Sequence, residues 1–177
     1  MKKLRAIGID DAAFKKGDAT CRIVGVISRP DTIEGIISTS IKIDGCDSTE
    51  QIIEMIEKSR FCDEIKIIFL NAITVGGLNL VDIKKLSSTL NMPVICMTRK
   101  KPTDKLGMII KKLKNGHIPN YSSLEVGCMH AQYFGISKID AEHFIKIFTK
   151  VGHVPEPLRL AHMIASGVFS GESRGRI

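Results

Sequence analysis

The chain has 177 residues, 44% of them apolar and 25% charged, with a net charge of +7 and a pI near 9.2. That composition excludes a disordered or fibrous chain and suits one domain with a real core, which must be built from Ile, Leu, Val and Met because Trp is absent and aromatic residues make up 5%. No apolar run is long enough to cross a bilayer, and the basic-then-apolar start MKKLRAIGID breaks too early for a signal peptide, at Asp10 and Asp11; a soluble, cytoplasmic protein with no membrane partner is the expectation.

In chain order, Leu4 to Ile9 alternates imperfectly and runs into an acidic pair, which predicts a first strand ending at Asp10. Residues 20–27 and 33–43 are rich in β-branched side chains and flank Arg29-Pro30-Asp31, the pattern of a hairpin with proline in its turn. With the first strand they make a three-stranded antiparallel meander. Asp47-Ser48-Thr49-Glu50-Gln51 then leads into Ile52, Ile53 and Ile56 at helical spacing, and either Asp47 with Glu50 or Ser48 with Gln51 fits a capping box. The run IKIIFL (65–70) reads as a strand buried on both faces. A helix over 80–90, a buried strand over 93–97 and a helix over 103–113 follow, the last with its lysines opposite Leu106, Ile109, Ile110 and Leu113. An amphipathic helix over 137–150 comes next, and Pro155-Glu156-Pro157 opens a final helix, proline being well placed in a first turn. We expect one domain over 1–170 and a polar tail over 171–177. Three antiparallel strands followed by strands alternating with helices predict an α/β fold with parallel pairing and a sheet covered on both sides.

The five cysteines (Cys21, Cys46, Cys62, Cys96, Cys128) are odd in number and form no CxxC pair, so neither a zinc knuckle nor a disulfide framework is indicated. Most are expected to act as small buried hydrophobes in a reducing compartment. The positive charge is concentrated: Arg99, Lys100, Lys101, Lys105, Lys111, Lys112 and Lys114 face a single acid, Asp104, over 99–114. This run fits either a solvated helix face or a phosphate-binding surface.

Few residues offer chemistry. Asp10 and Asp11 end the first strand, where neighbours point to opposite faces, so at most one of them faces a given site. A carboxylate there suits a hard cation such as Mg²⁺, and equally a turn or a helix cap. Asp47 is a second candidate carboxylate with an obvious alternative as the N-cap of the helix after it. His162 lies in an apolar stretch one turn beyond Arg159, where a histidine is either a core residue or a catalytic one.

Residues 145–162, IKIFTKVGHVPEPLRLAH, resemble the closing motif of the endonuclease V family, with Pro155, Glu156, Pro157, Arg159, Ala161 and His162 at its fixed spacing. The N-terminal GIDDAAFKKGD resembles that family's first motif, best with Asp10 as its aspartate, although Asp11 keeps better register with Gly17-Asp18. MPVICMTRKK resembles a third segment and sets Arg99 or Lys100 at the family's lysine position. The likeness spans nearly the whole chain and is closest to an archaeal branch classed as a domain of unknown function. It implies a ribonuclease H-like mixed sheet and a site in which two aspartates and a glutamate hold Mg²⁺, a histidine assists, and one phosphodiester is cut near a deaminated base such as inosine. By position the first aspartate is Asp10 and the histidine is His162. The second aspartate, in a hydrophobic-Asp-Gly motif, is replaced in Leu70-Asn71-Ala72 by Asn71. Asp47 is the approximate counterpart of the glutamate, and the family's Tyr-containing wedge has no match between Ile41 and Asp47.

Three readings follow. One is a metal-dependent nuclease acting on inosine-containing DNA or RNA through Asp10, Asp47, Asn71 and His162, with Asp10 and Asp47 on a weakly held Mg²⁺. A second is a nucleic-acid-binding protein with weak or lost cleavage, contacting phosphates through Arg99, Lys100, Lys101, Lys105 and Arg159. The third is a protein-interaction or small-molecule module on the same fold. Asn71 in a ligand position favours the second, because an amide brings no negative charge to a divalent ion.

Overall fold

The computed structural model describes residues 4–99 and 121–173. Its elements in chain order are β1 (Arg5–Asp11), β2 (Thr20–Ser28), β3 (Ile33–Lys42), α1 (Ser48–Glu57), β4 (Ile65–Leu70), the small hairpin β5 (Thr74–Val75) and β6 (Asn79–Leu80), α2 (Ile83–Leu90), β7 (Val94–Thr98), β8 (Ser122–Val126), β9 (Met129–Phe134), α3 (Lys138–Phe148) and α4 (Glu156–Ser170). Seven strands form one sheet in the order β3-β2-β1-β4-β7-β9-β8. β1, β2 and β3 are the antiparallel meander, and β1, β4 and β7 pair in parallel through helical crossovers. The mixed sheet, its crossovers and its two covered faces match the sequence-based expectation.

Four local expectations need correction. The sheet does not end in parallel strands: β8 and β9 form a hairpin that joins β7 antiparallel, Cys96 opposite Gln132. The alternation of buried Met129, Ala131 and Tyr133 with half-buried neighbours is its cause. The helix expected from residue 80 starts at Ile83, capped by Asp82, whose carboxylate accepts from the Lys85 N–H at 2.9 Å; Leu80 belongs to β6. No capping box forms at α1, because the Asp47 side chain turns away from the helix. Of the cysteines only Cys21 and Cys96 are buried, while Cys46 and Cys128 are exposed. The helix expected over 103–113 lies outside the described residues. Among the described residues, no helix is long and apolar enough to cross a membrane.

β1 is an interior strand, third in the sheet order beside the central β4, and its alternation separates the two cores. Ile7 and Ile9 point into a cluster with Ile52 and Ile56 of α1 and Ile83 and Leu86 of α2. Ala6 packs on the opposite face, in a cluster with Phe69, Phe148 and Leu158 under α3 and α4. Gly8 shares the Ala6 face, and a methyl built on it would overlap the backbone of Pro157 and Leu158. Helix α4 therefore rests directly on the β1 main chain. Spacing does the rest. From Gly8 to Asp10 is two residues of strand, roughly 6.6 Å; from Leu158 to His162 is four residues of helix, roughly 6 Å. Seating Leu158 on Gly8 thus brings His162 over Asp10.

Any side chain at residue 8 must lift α4. Gly8→Ala is expected to cost about 3 kcal/mol, the upper end of overpacking penalties, measured as a fall in the denaturant midpoint. An unchanged midpoint would contradict direct seating of the helix on the strand.

Candidate functional site

Asp10 is 2% exposed and is the one charged residue in the buried set of the described chain. A buried carboxylate is tolerable only when its lone pairs are occupied. The Oδ1 atom accepts from the Asp11 N–H at 2.9 Å. The Oδ2 atom lies 2.7 Å from His162 Nδ1 and accepts from Asn71 Nδ2 at 3.0 Å. Since a carboxylate only accepts, the imidazole proton sits on Nδ1 and the Asn71 amide presents its NH₂. Asn71 arrives there through the parallel register of β1 with β4, Ile9 opposite Leu70, and its own N–H donates to the Ile9 carbonyl at 3.1 Å.

These three residues line one end of a cavity of about 530 Å³ whose walls also include Asp11, Phe14, Ser166, Ser170 and Glu172. Ser166 and Ser170 follow His162 at i+4 and i+8, so α4 turns a polar stripe to the cavity. That spacing was the available signal for them. Phe14 lies within the segment GIDDAAFKKGD and had no signal beyond that position. The residue after Asn71 carries strain: Ala72 has φ 110, a conformation that favours glycine and costs a residue with a Cβ roughly 1–2 kcal/mol.

The remaining sequence candidates lie elsewhere. Asp47 is not a cavity residue. Its carboxylate accepts from the Lys42 N–H at 3.2 Å and from Asn79 Nδ2 at 2.7 Å, tying the β3–α1 turn to β6. Arg159 faces Glu156, donating at 2.8 and 2.6 Å, and its Nη1 reaches Met163 Sδ at 2.9 Å. This pairing holds the Glu156 carboxyl below its usual range. Arg99 is exposed. Lys100, Lys101 and Lys105 lie outside the described residues.

A Mg²⁺ ion takes about six oxygen ligands, commonly one or two protein carboxylates with waters and substrate oxygens completing the set. Among the described residues, no three His, Cys, Asp or Glu side chains converge to hold a metal. At Asp10 the nearest neighbours are N–H donors, which compete with a cation for the same lone pairs. The residues present do not fit a divalent metal as they are arranged.

Asp11 points to the other face of β1, and its Oδ2 accepts from the Gly76 N–H at 2.8 Å. Burial first, then the charge of Asp10, pushes its carboxyl up to about 6. A folded-state value above the unfolded one favours the neutral acid, so stability is fullest at low pH and falls as pH rises from about 4 through about 6. Asp11→Asn keeps the acceptor without the charge. It is expected to stabilise the fold by about 2 kcal/mol at pH 8 and by nothing measurable near pH 4, read from denaturant unfolding at both values; an equal effect at both would contradict the assignment.

Comparison with known proteins bears on the family and the fold. The family described as endonuclease dU matches residues 2–169. A UPF0215 protein of Archaeoglobus fulgidus is 36% identical over 183 residues, covering 99% of each chain. Another, from Thermococcus sibiricus, is 38% identical over 189 residues, covering 97% of this chain and 95% of its own. The crystal structure of a protein of unknown function from Archaeoglobus fulgidus superposes with a TM-score of 0.81 at 32% identity, over 94% of this chain and 98% of that one. A variant endonuclease V of Ciona intestinalis, solved with DNA containing an inosine followed by a ribo-adenosine, gives 0.64 at 13% identity, over 94% and 86%. Human endonuclease V gives 0.64 at 12%, over 95% and 85%. At such identities the endonuclease V likeness establishes the fold, which is ribonuclease H-like. On the family match over residues 2–169 and relatives aligned along almost their whole length, this chain belongs to the endonuclease dU family.

Proposed function

We propose that this chain binds nucleic acid on its endonuclease V-like scaffold and that its divalent-metal-dependent phosphodiester cleavage is weak or lost. The hydrogen bond from Asn71 Nδ2 to Asp10 Oδ2 carries the reading. An aspartate at residue 71 would set two carboxylates against each other and call for a cation between them; the amide neutralises that demand with its own N–H. His162 supplies the second donor. Together they satisfy Asp10 by protein groups alone, and Asp10 serves to hold the imidazole in one tautomer and one orientation. Binding then rests on charge. The basic run from Arg99 through Lys100, Lys101 and Lys105 to Lys114 supplies phosphate contacts, and the net charge of +7 steers a polyanion towards them. Asp47 has a structural role in the β3–α1 turn.

A second reading, an active metal-dependent endonuclease on deaminated DNA or RNA with weakly held Mg²⁺, is favoured by the retained Asp10–His162 pair and by the family's description as endonuclease dU. One comparison separates the two: nicking of deoxyuridine- and inosine-containing strands by purified wild type and by Asn71→Asp, in Mg²⁺ and in Mn²⁺. The variant restores a ligand charge and is expected to nick at least about tenfold faster than wild type. Wild-type cleavage equal to or faster than that of the variant would overturn the proposal of weakened catalysis. Wild-type affinity for duplex DNA should fall with salt by roughly 0.9 per phosphate contact on a log-log plot; a flat response would count against binding itself.

A further inference from the structure

We propose that Phe14 is a stacking platform for a nucleobase at the mouth of the cavity, with Lys15 and Lys16 beside it for the flanking phosphates; this rests on the nucleic-acid-binding reading above. Phe14 is 39% exposed and belongs to none of the apolar clusters of the core, so folding leaves part of its ring facing water. It lines the same cavity as Asp10, Asn71 and His162. On its far side the ring lies by the β5–β6 turn: a methyl built on Gly77 would sit 3.7 Å from Phe14 Cζ.

The loop that carries Phe14 is tied in place. The Lys15 N–H donates to Asp18 Oδ2 at 2.7 Å, the Asp18 N–H returns to the Lys15 carbonyl at 3.1 Å, and Gly17 turns the chain at φ 102. Phe14, Lys15 and Lys16 are therefore presented on a closed turn, with both lysines exposed. A fixed aromatic loses little conformational freedom when a ligand covers it.

The chemistry of the cavity selects the occupant. Its walls combine the ring, Ala12 and Ala13 with polar groups, among them the acids Asp10, Asp11 and Glu172. A phosphate would meet their charge. A nucleobase offers an aromatic face for the ring, while its phosphates stay outside with Lys15 and Lys16.

Because the chain has no Trp, Phe14→Trp places a lone fluorophore at the platform. A single-stranded oligonucleotide at low salt is expected to quench its emission, and an abasic strand of the same length and charge is expected to bind without quenching. In the otherwise native chain, Phe14→Ala should weaken the base-bearing strand about tenfold while leaving the abasic strand unaffected. Replacing Lys15 and Lys16 by Gln should lower the salt slope by roughly 0.7 for each lysine on a single strand. If the oligonucleotide binds in a mobility-shift assay while the Trp emission and the Phe14→Ala affinity stay unchanged, stacking is overturned and nucleic-acid binding stands. Equal quenching by the abasic strand also overturns stacking. Absence of binding by either strand at low salt overturns both.

Discussion

A carboxylate with almost no access to water must be surrounded by donors, and Asp10 is that carboxylate. Much of the fold can be read as the means of meeting this requirement. β1 lies inside the sheet beside its central strand β4, the parallel register with β4 delivers Asn71, and the bare main chain at Gly8 lets α4 come close enough to deliver His162. Asp10 and His162, distant in sequence, meet because a strand rise of two and a helix rise of four cover nearly the same length.

The same constraint makes the choice between asparagine and aspartate at residue 71 chemically consequential. An aspartate there would need an external cation to relieve repulsion with Asp10; an asparagine removes the need by donating to the carboxylate. On the reading proposed above, the scaffold persists while the pull on a metal falls. The neighbouring residue departs from the expected motif as well, since Ala72 holds a backbone angle better suited to glycine. Asp11 remains ionisable beside this pair, kept partly neutral by burial and by the charge of Asp10. The cavity thus holds its histidine within a mixed polar and apolar lining, and no convergent ligand set occurs among the described residues.

Much of this was legible in the sequence, for physical reasons that differ by residue. Asp10 and His162 stand in linear motifs with fixed spacing, and Asn71 directly follows a buried strand whose ends are easily read. Asp47 was ambiguous because carboxylates cap helices and bind metals with the same oxygens. The structure shows it doing a third thing, bracing a turn through Asn79, and that contact spans a long sequence separation. The β8–β9 hairpin escaped notice because its alternation is short and includes His130 and Gln132 at half-buried positions. Ser166 and Ser170 were detectable only once His162 fixed which face of α4 looks into the cavity. Phe14 was invisible to patterning, since an isolated aromatic after a strand is ordinarily read as core.

The central claim is that protein N–H groups occupy the place a cation would take at Asp10. Paramagnetic broadening by Mn²⁺ of the Asn71 side-chain amide and His162 ring resonances tests it most directly. With the amide holding Asp10, those signals should stay sharp at Mn²⁺ concentrations that saturate the Asn71→Asp variant. Selective broadening of Asp10, Asn71 and His162 in the native chain at substoichiometric Mn²⁺ would contradict it.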